Sequence, residues 1–256
     1  MLYAEERKRK TMEYIQENLR ASVPELSQFL NVSESTIRRD LKELEEEKLL
    51  RRTHGGAISL QNVNFEPSFN EKEDKFQKEK RAIARKAMEF IEEEDTILLD
   101  SGTTTFQLVK ELYVFSRLTV VTNSLVFAQE LQDVPGIEVV IVGGNVRKET
   151  CALVGPIAES ALSMMRVDKA FIATNGFEVE GGLTTPNLLE AATKRKMIEM
   201  SKQVILLADH SKAEKTTFAK FAEIDKIDKC IMDAHTPKSF VRKLEEAGID
   251  VYLVNA

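Results

Sequence analysis

The sequence predicts an α/β protein of two domains: a small helical domain with a β-wing, followed by a larger domain built on a largely parallel β-sheet. Two observations support this. Apolar residues recur at helical spacing through about the first 50 residues, which end in a basic, glycine-containing stretch. From about Lys80 onward, short apolar runs alternate with amphipathic stretches, as in sheets whose parallel strands are joined by helices. We place the first domain at 3–58, a linker at 59–79 and the second domain at 80–256.

The composition fits a folded protein that is neither exported nor embedded in a membrane. Hydrophobic residues make up 43% of the 256 residues. No apolar run approaches the roughly 18 residues of a spanning helix, and the charged start MLYAEERKRK does not resemble a signal peptide. Cys151 and Cys230 are far apart in apolar surroundings, which predicts two buried, reduced thiols. We therefore expect a cytoplasmic protein with no membrane contact, disulfide, metal or cofactor.

Three short helices are predicted in the first domain. Met12 and Ile15 lie on the apolar face of the first helix. Residues 22–25, SVPE, form a capping box with proline near the start of the second helix. A tight turn at 31–32 then leads to Ser33, whose hydroxyl is placed to cap the third helix.

The third helix and the stretch after it have the pattern of a DNA-reading element. Ile37, Leu41 and Leu44 form its buried face, which leaves short hydroxyl and cationic side chains on the other faces. Taken alone, this is also the pattern of an ordinary solvated helix. The preceding helices and the basic stretch 51–57 favour a winged helix-turn-helix instead. The candidate DNA-binding residues are Ser33, Ser35, Thr36, Arg38, Arg39, Lys42, Arg51, Arg52 and His54.

The charge distribution predicts that one such domain binds DNA weakly. Residues 1–60 contain 11 basic and 11 acidic side chains, so the whole net charge of −6 belongs to residues 61–256. Since phosphate contacts supply most of the affinity for DNA, a neutral domain should bind weakly and lose affinity with added salt. Specific binding then needs several copies, and we expect a homo-oligomer, either a dimer or a tetramer.

The linker, 59–79, is polar and without periodicity, and we expect it to be partly extended around Pro67 before a charged helix. The second domain follows with seven predicted strands and at least four helices. The strands are 96–99, 118–122, 139–142, 170–173, 204–208, 230–232 and 251–254. The helices are 104–113, 124–131, 188–201 and 238–247. This pattern does not reveal the order of the strands.

Polar and glycine residues follow five of these strands, and they should meet at one rim because ligands bind outside the carboxyl ends of parallel strands. The most informative is DSGTTT at 100–105, which ends a strand and opens a helix. Its backbone N–H groups and hydroxyls suit an anion, and the absence of GxxxxGK[ST] favours a compact phosphate over a nucleoside triphosphate. A turn capped by hydroxyls is the alternative. Lys194 and Lys212 are candidate cations, although each alone resembles a surface lysine.

The first domain resembles the DNA-binding domain of the DeoR family of bacterial transcriptional regulators. Thr11 departs from that family's pattern, which prefers an aliphatic residue there, and its methyl group can still pack. The matching residues are Arg7, Ile15, Ser33, Thr36, Ile37, Arg38, Arg39, Asp40 and Leu41, with the wing at 51–57.

The resemblance extends over nearly the whole chain, and it implies what the second domain does. That domain is expected to be ribose-5-phosphate-isomerase-like and to sense a phosphorylated sugar effector. By this analogy the phosphate lies on Ser101, Gly102, Thr103, Thr104 and Thr105. The sugar hydroxyls then contact Asp100, Asn123, Glu190, Lys194 and Lys212.

The implied function is that of a transcriptional regulator, in particular a repressor of a carbohydrate-utilisation operon. Double-stranded operator DNA and the phosphorylated sugar are its expected partners, and the sugar releases or modulates binding to DNA. The alternative is an enzyme, a sugar-phosphate isomerase or transferase with an appended helical domain. Asp100, Glu190 and Asp209 would be its candidate general bases.

Overall fold

The structure is a computed structural model that describes residues 3–18, 20–47, 49–59 and 66–256. The chain forms two compact units, Met1–Pro67 and Ser68–Ala256. Within the described ranges, no helix combines the length and the apolar character that a membrane span requires.

The first unit is a winged helix-turn-helix, as predicted. Its three strands form an antiparallel sheet in the order β1-β3-β2, and the β2–β3 hairpin is the wing. The three-residue strand β1 was not predicted, because so short a segment has no periodicity to detect. The elements are α1 (Ala4–Asn18), β1 (Arg20–Ser22), α2 (Val23–Leu30), α3 (Glu34–Glu46), β2 (Leu50–Thr53) and β3 (Gly56–Ser59).

Local signals in the sequence account for the helix boundaries of this unit. The Ser22 hydroxyl accepts the Glu25 N–H at 3.2 Å while Glu25 Oε2 accepts the Ser22 N–H at 2.7 Å, which completes the predicted capping box. Asn31 ends α2 in the left-handed conformation at φ 51°. Thr11, the departure from the family pattern, is fully buried, and its hydroxyl donates to the Arg7 carbonyl at 2.9 Å. Its polar atom is therefore satisfied within α1.

The second unit is an α/β domain built on one seven-stranded sheet. Its first helices are α4 (Phe69–Glu73) and α5 (Gln77–Met88). There follow β4 (Thr96–Leu99), α6 (Thr103–Val109), β5 (Leu118–Thr122), α7 (Leu125–Leu131), β6 (Ile137–Ile141), β7 (Asn145–Arg147), β8 (Ala152–Val154), α8 (Pro156–Ser163) and β9 (Val167–Ala173). The remainder is β10 (Gly176–Glu178), β11 (Gly182–Thr185), α9 (Leu188–Glu199), β12 (Ser201–Leu207), β13 (Ala219–Ala222), β14 (Lys229–Asp233), α10 (Lys238–Glu246) and β15 (Asp250–Val254).

All seven strands of the large sheet are parallel, in the order β15-β14-β12-β9-β4-β5-β6. Side chains alternate between its faces: Ile97 and Leu99 pack in one apolar core, whereas Leu98 packs in the other. Helices α5, α6 and α7 contribute to the first core, and α8, α9 and α10 to the second. A sheet covered on both faces has strands that are continuous apolar runs, which is why all seven were predicted.

The prediction missed the shorter elements of this unit. Strands β7 and β8 form a hairpin, and β10, β11 and β13 form a small antiparallel sheet. Each has only three or four residues, and helix α8 was missed as well. The helix predicted at 104–113 ends at Val109, and a 3-10 turn follows at Leu112–Val114.

Two further expectations need correction. The predicted linker 59–79 is only partly a connection: residues 60–65 lie outside the described part of the chain, and the second unit begins at Ser68 rather than at 80. Ser68 caps α4 with a capping box, and the buried Phe69 ring packs edge-on against Phe106.

Cys230 is buried, as expected, whereas Cys151 is only partly buried because it lies in the β7–β8 turn with a left-handed φ of 52°.

Candidate DNA interface and effector site

The N-terminus of α3 is closed by a network of hydroxyl groups. The Ser33 side chain accepts the Thr36 N–H at 3.3 Å and lies 2.9 Å from both the Ser35 and the Thr36 hydroxyl oxygens. Ser33 therefore has a role in capping the helix besides any contact with DNA. All three side chains remain at least partly exposed and can reach a phosphate group.

The predicted cations lie on the surface of this unit. Arg38, Arg39 and Lys42 are exposed along α3, opposite its buried Ile37–Leu41 face. Arg38 pairs with Glu34 at 2.9 Å and Lys42 lies 3.8 Å from Glu46, so both pairs must open for DNA contact. In the wing, Arg51 and His54 are exposed, whereas Arg52 is half-buried and its N–H donates to Glu45 Oε1 at 2.8 Å.

Two of the residues that match the DeoR pattern, Arg7 and Asp40, have a structural role. The Arg7 guanidinium forms a bidentate pair with Asp40, with Nε 2.5 Å from Oδ2 and a terminal nitrogen 2.9 Å from Oδ1. Both residues are buried, at 7% and 1% exposure. The pair joins α1 to α3 and holds the candidate recognition helix in place.

Replacing Asp40 by alanine should destabilise the first unit, because the buried Arg7 guanidinium then loses its carboxylate partner. Breaking such a pair costs about 3 kcal/mol. Hydrogen exchange of the α1 and α3 amides in the full chain measures the effect. Glu46→Ala is the matched control, since it removes only the exposed Lys42–Glu46 pair, which contributes little. Equal loss of protection in both variants would contradict this role for Asp40.

In the second unit, the candidate effector site lies at the point where the strand order reverses. From β4 the chain proceeds outward through β5 to β6, and then returns to β9 on the other side of β4. Asp100 directly follows β4, and its Oδ2 accepts the N–H of Ala173, the last residue of β9, at 2.9 Å. In open α/β sheets this switch point is where ligands bind.

Asp100 belongs to a buried cluster of four charged side chains. The Lys194 ammonium pairs with Asp100 Oδ2, donates to the Ala173 carbonyl at 3.0 Å and lies 3.8 Å from Glu190 Oε1. Glu190 also pairs with Arg147, which projects from β7. Two cations and two anions balance, so the charge of Lys194 is already compensated within the protein. No sequence signal had singled out Arg147.

Other predicted residues shape the turn after Asp100. Asn123 Oδ1 accepts the Ser101 N–H at 3.0 Å, and its Nδ2 donates to the Leu153 carbonyl at 3.3 Å. The Thr105 hydroxyl donates to the carbonyls of Asp100 and Gly102, at 2.7 and 2.9 Å. A side chain at Gly102 would come within 2.5 Å of the Ala173 methyl group, so only glycine fits there. Asn123 and Thr105 therefore position the turn.

Two atoms of this turn are buried without a hydrogen-bond partner. They are Asp100 Oδ1 and Ser101 Oγ, adjacent in sequence. Thr103 and Thr104, in the first turn of α6, are buried beside them at 7% and 6% exposure. An unmade hydrogen bond at a buried polar atom costs about 1–3 kcal/mol, so such a pair at a switch point marks a site that a ligand can complete.

Lys212 follows β12, which lies two strands away from β4 in the sheet. It acts electrostatically on Lys80, a lysine that the sequence did not suggest as a site residue. Lys80, in α5, is 2% exposed and its ammonium donates to the Lys72 carbonyl. Burial lowers the pKa of Lys80 to about 8, the negative charge of Asp209 opposes this decrease, and Lys212 adds to it. The signal that was missed is one lysine on the apolar face of an otherwise amphipathic helix.

Comparisons with known proteins agree with this architecture. A family model described as a DeoR-like helix-turn-helix domain matches residues 7–63, and one described as a DeoR C terminal sensor domain matches residues 75–234. The HTH-type transcriptional regulator GlpR of Haloferax volcanii is 40% identical over 96% of each chain. The HTH-type transcriptional repressor GlcR of Bacillus subtilis is 37% identical over 98% of this chain and 96% of its own.

Among solved structures, ribose 5-phosphate isomerase A of Methanocaldococcus jannaschii is similar at a TM-score of 0.37 and 16% identity. The similarity covers 52% of this chain and 53% of the isomerase. Likeness at this level carries no information about function.

A winged helix-turn-helix followed by an α/β sensor domain defines a ligand-responsive DNA-binding protein. The chain belongs to the DeoR family of transcriptional regulators. The predicted family and fold class are confirmed. The alternative of an enzyme is set aside, because relatives that match along nearly the whole chain are regulators.

Proposed function

We propose that this protein is a cytoplasmic repressor of a carbohydrate-utilisation operon that a phosphorylated sugar releases from its operator. The exposed side chains of α3 and the wing contact double-stranded DNA, and the switch point of the sheet binds the effector. If the effector binds the DNA-free arrangement more tightly, it shifts the population away from DNA by the ratio of its two affinities. The repressor name of the GlcR relative supports the direction of regulation.

The effector assignment rests on the two buried atoms of the turn that have no hydrogen-bond partner. Asp100 Oδ1 can only accept a hydrogen bond, which suits a sugar hydroxyl, whereas Ser101 Oγ can donate one to a phosphate oxygen. A phosphorylated sugar presents both groups on one small molecule. A plain helix cap would leave both buried atoms unsatisfied.

The buried ammonium of Lys80 supports the phosphate part of the proposal. The two cations and two anions of the cluster that contains Asp100 balance one another, so this cluster leaves no net positive charge for an anion. Lys80 and Lys212 supply positive charge on the same rim, Lys72 adds to it, and the negative charges of Asp209 and Glu73 oppose it. A phosphate near Lys80 would favour its charged form and offset the cost of its burial.

Calorimetry with a panel of sugar phosphates and their unphosphorylated parents tests this proposal. At least one phosphate should bind, and its parent should bind much more weakly. Because a bound phosphate raises the pKa of Lys80 from about 8, affinity should be nearly constant between about pH 7 and 7.5 and should fall above pH 8 by up to about tenfold per pH unit. The ligand's own charge is constant there, since a phosphate's second pKa is about 6.

Two variants make the result specific. Lys80→Met should weaken binding and abolish this pH dependence, whereas Lys212→Met should weaken binding and keep it. Equal affinity for phosphorylated and free sugars would show that the turn is only a helix cap, and the effector assignment would be wrong.

An oligomer is expected because one DNA-binding domain without net charge should bind DNA weakly. When two or more of these domains belong to one oligomer, binding of the first raises the effective concentration of the second at its half-site. We therefore propose a dimer or tetramer, which sedimentation of the full chain distinguishes from a monomer.

A further inference from the structure

A second group of chemically active side chains lies at the carboxyl ends of β12 and β14. His210 opens the 3-10 helix His210–Lys212 after β12, Asp233 ends β14, and His235 follows two residues later. These are two of the three histidines in the chain. Their potential ligand atoms all lie within 4.8 Å of one another. The effector site proposed above uses none of the three.

Both imidazole rings converge on one carboxylate oxygen. His210 Nδ1 lies 2.9 Å and His235 Nδ1 3.1 Å from Asp233 Oδ1. The Asp233 side chain is fully buried and also accepts the backbone N–H groups of both histidines, at 2.7 and 3.0 Å. The carboxylate is therefore held in place, and the rings are aligned before any ligand arrives.

This arrangement is close to the geometry of a zinc site. With ligand bonds of about 2.0–2.2 Å, neighbouring ligand atoms around a tetrahedral zinc ion are about 3.3 Å apart. The observed separations of 2.9 and 3.1 Å need to widen by only a few tenths of an ångström. Imidazole nitrogen with carboxylate oxygen is a donor set that zinc accepts.

A second carboxylate lies beside the cluster. Glu79 Oε1, in the first turn of α5, lies 4.0 Å from His235 Nδ1. Asp233 and Glu79 together bring two carboxylates to this place, which suits the charge of a divalent cation. The Phe76 ring, 4.7 Å from the His210 ring, covers one side of the cluster.

We propose that His210, Asp233 and His235 bind a zinc ion, with Glu79 as the fourth ligand. The ion joins the start of α5, the 3-10 helix after β12 and the end of β14. This site lies beside the proposed phosphate-binding lysines, since Glu79 precedes Lys80 and His210 lies two residues before Lys212, and it differs from the expectation that the chain has no metal site. That expectation considered only the two cysteines. The four proposed ligands are separated by as many as 156 positions, and no short motif contains them.

Titration of the untagged full chain with zinc chloride alone tests the site, with the bound metal counted after dialysis. One zinc ion per chain and a raised thermal midpoint are expected. Loss of an outer-shell partner costs about 10- to 100-fold in metal affinity, so His210→Asn and His235→Asn should each cost at least about 100-fold. Glu79→Gln should cost about tenfold. Asparagine keeps a hydrogen-bond donor near Asp233, so these variants should still fold.

The matched controls remove one thiol and one imidazole outside the cluster. Cys151→Ser and His54→Ala should bind zinc as the wild type does. Absence of zinc binding at micromolar concentration in the wild type would overturn the proposal and leave a hydrogen-bonded histidine cluster. Retention of zinc by the His210→Asn, His235→Asn double variant would overturn it equally.

Discussion

Replacing Lys194 by alanine should strongly destabilise the second unit, because the fully buried Asp100 carboxylate loses its cation. Breaking a buried pair in this way costs about 3–5 kcal/mol. From the sequence alone Lys194 resembles a surface lysine, whose replacement would leave the fold intact. The structure changes that expectation, since Lys194 lies at the centre of the switch point. Denaturant unfolding of the full chain, followed by a spectroscopic signal that comes from the second unit, measures the loss of stability.

The double variant Lys194→Ala, Asp100→Asn separates stability from sensing. The asparagine oxygen can still accept the Ala173 N–H, and no charge is left unpaired, so most of the stability should return. Effector affinity should stay at least about tenfold below wild type, because each charge-assisted hydrogen bond contributes about 1.5–3 kcal/mol. The double variant should therefore bind operator DNA without responding to the sugar.

Lys196→Ala is the matched control, since it removes a lysine from the exposed side of the same helix. Its only charged partner among the ion pairs described is Glu199, at 2.6 Å on the surface. It should match the wild type in stability and in response to the effector. A double variant that binds the effector with wild-type affinity would exclude Asp100 and Lys194 from the effector site.

Replacing Arg38 or Arg39 by alanine should abolish operator binding while the fold and the effector affinity remain intact. Both side chains are exposed on α3, so neither supports the core. A good arginine contact to a base pair contributes about 1–3 kcal/mol. When two DNA-binding domains of one oligomer contact the operator, the free energies lost in each domain add, and affinity should fall at least about 100-fold. Gel shifts at one fixed salt concentration decide the outcome.

Arg9→Ala controls for the loss of charge alone. Arg9 is an exposed arginine of α1, with 69% of its side chain accessible, and it pairs with Glu13 at 3.6 Å. Its loss should weaken binding only slightly and equally for all sequences, as loss of a general electrostatic contribution does. Wild-type operator affinity in both Arg38→Ala and Arg39→Ala would show that α3 does not enter the major groove.

Some residues that match the DeoR pattern stabilise the fold and do not belong to the proposed DNA interface. Arg7 and Asp40 bind each other between α1 and α3, whereas Arg38 and Arg39 lie exposed beside them in sequence. Sequence reasoning grouped all four because they occur in one matching pattern. Only the burial of each side chain separates those that hold α3 in place from those that can reach DNA.

Features that depend only on neighbouring residues could be predicted from the sequence. Examples are the capping box at 22–25, the helical spacing of apolar residues in α3 and the continuous apolar runs of the seven parallel strands. Each is a local pattern, and the structure has each of them. Tertiary structure decided which strand ends meet. The order of the sheet brings Asp100 to Ala173 and Lys194, Arg147 to Glu190, and His210 to His235. Such meetings depend on how strands far apart in sequence pair, and no local period encodes that pairing.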